Sequence, residues 1–172
     1  MLLNYVKDFF IKRKVKSSLT TERSLASSDI IKTVGLLVDE NYFSEKGKLI
    51  DEIISFGISQ ENIQILVYKN RIKSIDKGNY TICTPASVNW NAEVTDKSVK
   101  EFIETEFDLL INYYDVEKAL LLLINSKSKA KFKAGFATVD KKLNDLIINV
   151  NADNYQVFVQ ELFRYIKLLN KI

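Results

Sequence analysis

Two polar clusters, each closing an apolar run, hold the residues best suited to chemistry. Asp39, Glu40 and Asn41 follow VGLLV, and Asn112, Tyr113, Tyr114 and Asp115 follow FDLLI. A carboxylate at the end of a core strand can take a ribose hydroxyl, a metal ion or a proton. The same carboxylate can equally be a helix cap or a turn residue. Asp39 and Asp115 would form an acid–base pair if the two run ends meet. Asp39, Glu40, Asn112, Tyr113 and Asp115 are therefore the candidate ligand-binding residues, and no residue is assigned a catalytic role.

Composition narrows that chemistry. The 172 residues include no histidine, one cysteine, one proline and five glycines. Without histidine there is no Ser/His/Asp or Cys/His triad and no imidazole metal ligand. Cys83 alone makes neither a disulfide nor a thiolate metal site, and it reads as a small buried residue. No GxGxxG and no GxxxxGK[ST] is present, so no loop lets backbone amides approach a pyrophosphate. No cofactor and no metal is expected, and the balance leans away from an enzyme. Lys129, Lys131 and Lys133 alternate beside a strand start and read as a solvated rim. Trp90, between two asparagines, is either a plug over the core or a contact residue.

Elements must place these residues. Residues 34–38 and 107–112 are continuous apolar runs, which suit strands covered on both faces. Residues 62–69, 80–83, 131–136 and 143–151 supply further strands, and 87–94 is an edge strand or an ordered loop. Helices are expected over 44–56, with Gly57 as its left-handed stop, and over 97–105, 116–125 and the C-terminal stretch. Asp115 is the expected N-cap of the third, and Asp153 with Gln156 has capping-box spacing before the last. Gly135 marks close packing or a bulge. Alternating strands and helices of this length build a parallel sheet with helices on both faces.

The leader differs from the body. Six basic residues against Asp8 and Glu22 give residues 1–23 a charge of +4, whereas the chain carries +3 in all. Leu2, Leu3, Val6, Phe9 and Phe10 share one helical face beside Lys7 and Lys14. This helix either docks on the domain or meets a protein partner or an anionic membrane surface. The near-neutral body has no basic stripe for nucleic acid. Residues 1–28 form the leader and a polar connector, and 29–172 form one α/β domain. An exposed edge near Tyr80 or Trp90 would let two copies pair as a homodimer.

FDLLINYYDVEKALLLLINSKSKAKFKAGFA, LNDLIINV and the closing amphipathic helix resemble an uncharacterised family of short bacterial α/β proteins, a domain of unknown function, across nearly the whole chain. The resemblance implies a soluble α/β fold and brings no activity. FDLLI, the apolar helix and SKAKFKAGF also look like the N-terminal Rossmann-like domain of heptosyltransferase-type glycosyltransferases, over about thirty residues. Those enzymes have two domains, and the glycine-aspartate start of their first strand is missing from TVGLLVDE, so no catalytic residue is carried over. The expected fold is a three-layer Rossmann-like or flavodoxin-like domain with five or six mostly parallel strands and an added N-terminal helix. The expected function is a non-catalytic binding or interaction module of the bacterial cytoplasm, peripheral to the inner membrane face if the leader binds lipid. The alternative is a nucleotide- or sugar-binding protein or enzyme with its site at the carboxyl ends of the strands.

Overall fold

The continuous apolar runs lie at the centre of a six-stranded sheet. The computed structural model describes residues 2–19, 30–72 and 78–172. Strands β1 (Val34–Asp39), β2 (Ile63–Tyr68), β3 (Thr81–Cys83), β4 (Leu109–Tyr113), β5 (Phe132–Phe136) and β6 (Leu146–Ile148) are all parallel, in the order β3-β2-β1-β4-β5-β6. Every residue of β1, β4 and β5 is buried, as strands covered on both faces require. Strand order reverses between β1 and β4, which opens a switch point at their carboxyl ends.

Helices α2 (Lys46–Ser55) and α5 (Tyr155–Leu168) cover one face. Phe56 and Phe163 stack across them with centroids 4.6 Å apart. Helices α1 (Leu2–Ser18), α3 (Lys97–Glu104) and α4 (Ala119–Lys127) cover the other face. From Ala119 to Asn125 every residue of α4 is buried, because α4 lies between the sheet and α1. An apolar helix needs such a second cover, and the leader supplies it.

The leader therefore docks. Ile11 and Val15 enter the core, and the buried Lys7 Nζ donates to the carbonyls of Pro85 (2.8 Å) and Val88 (3.0 Å). Lys12 Nζ donates to the Glu117 carbonyl, and Lys16 pairs with the Glu117 carboxylate at 2.8 Å. Most of the polar connector lies outside the described residues.

Several local expectations are corrected. Asp115 does not cap α4: the helix starts three residues later, with Lys118 at the N-cap position. Asn154, not Asp153, caps α5 by accepting from the Val157 amide. Residues 87–94 form an ordered loop closed by one antiparallel bridge, Val88 to Val94. Lys133 is no rim residue: it is 2% exposed, and its Nζ donates to the Asn125 carbonyl at 2.5 Å. Trp90 is no plug, being half exposed. Gly57 does stop α2 with φ +98°, and a Cβ on Gly135 would lie 2.5 Å from Asn144 Nδ2, so close packing is its role.

Candidate functional site

At the carboxyl edge, Asp39 ends β1 beside Tyr68 at the end of β2. Its side chain points to the face that carries α1. Asp39 Oδ1 accepts from the Asn41 amide (3.0 Å) and Asn41 Nδ2 (2.6 Å), and Asn41 Oδ1 accepts from the Asn70 amide. Asp39 Oδ2 is buried and meets no donor among the described residues. Burial pushes the carboxyl pKa up; the Asn41 hydrogen bonds and Lys118 pull it back, and Asp115 raises it again.

Lys118 brings a cation to this edge. Its Nζ stands 4.9 Å from the ring centroid of Tyr42 and 5.6 Å from that of Tyr68. Asp8 reaches the same place from α1: burial raises its pKa against the pull of Lys12, Lys7 and Lys118. Burial also pushes the Tyr68 hydroxyl up, with Asp8 and Asp39 adding to it. Asp39 and Asp115 thus share one electrostatic environment.

The other three candidates are drawn elsewhere. Glu40 is held between Lys46 (2.6 Å) and Lys69 (3.1 Å). Tyr113 points to the opposite face, where its hydroxyl donates to the Ala152 carbonyl at 2.5 Å and its ring packs on Phe43, Phe136 and Phe158. Asn112 is buried in an amide cluster: Asn144 Oδ1 accepts from Asn112 Nδ2 (2.9 Å) and Asn125 Nδ2 (3.2 Å), and Asn125 Nδ2 also reaches the Tyr114 hydroxyl. This cluster ties β4, α4 and the chain before β6 together. The site residues missed in the sequence are Tyr42, Tyr68, Lys118 and Asp8. Tyr68 carried a signal, since it closes an apolar run as Asp39 does. Asp8 carried none, because its place depends on how α1 docks.

Among the described residues, four of the surface clefts measure about 420–640 Å³, and Asp39, Asn112 and Asp115 line none of these four. One of about 420 Å³ lies between α1 and the 87–94 loop, lined by Phe10, Ile11, Arg13, Lys14, Ser17 and Trp90 among others. It belongs to an aromatic surface: Tyr5 is 74% exposed, Phe9 56%, Phe10 55% and Trp90 54%. The loop that presents Trp90 is firmly built. Asn89 Oδ1 accepts from the amides of Asn91 and Glu93, and Ala92 takes φ +60°. Lys14 and Lys127 donate to the carbonyls of Asn91 and Ala92. Among the described residues no helix is long and apolar enough to cross a membrane, and no three acidic or thiol groups gather as a metal site.

A model of a family of unknown function, DUF6913, matches residues 7–169. The chain belongs to that family. No curated protein and no solved structure matches it.

Proposed function

We propose that the protein is a Rossmann-like interaction module that docks, without catalysis, on the anionic cytoplasmic face of a membrane through the outer side of α1 and the Trp90 loop. One observation carries this reading: four large aromatic side chains are exposed on α1 and the loop beside it, with cations among them. Tyr5, Phe9 and Arg13 follow one another at single-turn spacing, Phe9 and Phe10 meet edge to face at 5.9 Å, and Phe10 shares a cleft with Trp90. Aromatic rings favour the water–lipid boundary, and Arg13, Lys14 and Lys16 add attraction to acidic headgroups. A monomeric surface seldom leaves such a patch uncovered.

The test uses the whole chain. Deleting α1 would remove Ile11, Val15 and the Lys7 hydrogen bonds from the core. Exposed positions avoid this problem. Flotation with vesicles of phosphatidylcholine containing about 30% phosphatidylglycerol should carry the protein, and pure phosphatidylcholine should not. Phe9→Ser with Trp90→Ser should lower the bound fraction about tenfold, and Arg13→Glu should weaken it further. Equal binding to both vesicle types, or binding unaffected by the double substitution, overturns the proposal. Self-association through the same residues without vesicle binding would assign the patch to a protein contact instead.

A further inference from the structure

We propose a second, separate site: the sheet edge at Asp39 binds an organic ammonium ion in the place that Lys118 now fills with its own ammonium. Three features support this. First, Asp39 is 2% exposed, yet one carboxylate oxygen has no donor among the described residues. A buried carboxylate oxygen is normally satisfied. Second, Tyr42 and Tyr68 present their rings to a cation already, at 4.9 and 5.6 Å from Lys118 Nζ. Rings and a carboxylate around one positive charge are the chemistry that recognises ammonium groups. Third, the place is the switch point of the sheet, the end of the strands at which open parallel sheets bind their ligands.

Lys118 is suited to leave. It is only partly buried, and its side chain makes no cap hydrogen bond to α4; only its carbonyl serves the helix, accepting from the Leu122 amide. Displacing it would expose Asp39 and Asp115 to one incoming cation. A neutral or anionic ligand would have to meet both carboxylates with Lys118 withdrawn, while Lys46 and Lys69 are already engaged by Glu40. The site therefore selects for positive charge on a compact, partly apolar group.

Lys118→Met keeps the side-chain stem and removes the resident ammonium. Titration with n-butylammonium chloride, against sodium chloride at equal ionic strength, would be followed by the NMR signals of the Asn41 side-chain amide, which is bonded to Asp39. The substituted protein should bind at least about tenfold more tightly than the wild type. Adding Asp39→Asn should abolish the gain. Adding Tyr42→Ala, at an exposed ring, should weaken binding about two- to tenfold and serves if the Asp39 variant fails to fold. Lys118→Met binding no more tightly than wild type overturns the proposal, as does full binding without both Asp39 and the Tyr42 ring.

Discussion

Asp39 and Asp108 sit at opposite ends of the same strand pair and are treated in opposite ways. Asp108 lies just before β4 at the amino edge, and every donor around it favours the charge. Its Oδ2 accepts from the amides of Lys32 and Thr33 and from the Thr33 hydroxyl, at 2.9–3.0 Å, and its Oδ1 pairs with Lys131 at 2.9 Å. Burial alone would raise its pKa, but these donors together bring it down to about 2. Asp39 has one neighbouring residue donating to one oxygen, and burial dominates. A carboxylate that staples two strands is given all the donors it can use. One kept buried with donors on a single oxygen loses part of what its hydrogen bonds supply to the desolvation of its charge.

The sharpest way to break this contrast is Asp108→Ala. The amides of Lys32 and Thr33 would lose their acceptor at the junction where β1 meets β4, and stability should fall by about 3 kcal/mol in chemical denaturation. A loss below about 1 kcal/mol would deny the staple. The acid limb gives a smaller, independent reading. The folded pKa of Asp108 lies below the unfolded value, so its contribution is fully present above about pH 4 and is lost as the pH falls through about 2. Wild-type stability should drop by about 2 kcal/mol across that window through this group, and the Asp108→Asn protein should lack that component.

The sheet was legible because its strands are buried on both faces: VGLLV and FDLLI carry no alternation to confuse them with surface strands. The apolar α4 implied a second cover, and α1 is that cover. What was not legible depended on tertiary placement. Tyr113 and Tyr114 are neighbours on one strand end, so strand geometry sends them to opposite faces, and only the packing of Phe43 and Phe158 shows that Tyr113 is closed off. Lys133 looked like a surface lysine because a buried lysine is rare; it is accommodated by a carbonyl at the end of α4, eight residues away in sequence. For the site, Asp39 and Asp115 could be picked from strand ends alone. Lys118 could not: displacement of the helix start by three residues turned an expected interior position into the one whose side chain swings over the switch point.

Asp39→Asn has the smallest expected effect and bears most directly on the comparison. Asparagine keeps an oxygen for the two Asn41 donors and removes a charge that burial disfavours. Because the folded pKa of Asp39 is raised, its ionisation works against folding: stability from this group is greatest below its unfolded value and declines as the pH rises through the folded one. The variant should therefore gain on the order of 1 kcal/mol at pH 7 and nothing at pH 3, measured by urea denaturation at both. A structural carboxylate would behave as Asp108 does and lose stability on the same exchange at pH 7. A gain at neutral pH that vanishes in acid would mean that the buried charge of Asp39 opposes the fold, where that of Asp108 holds it together.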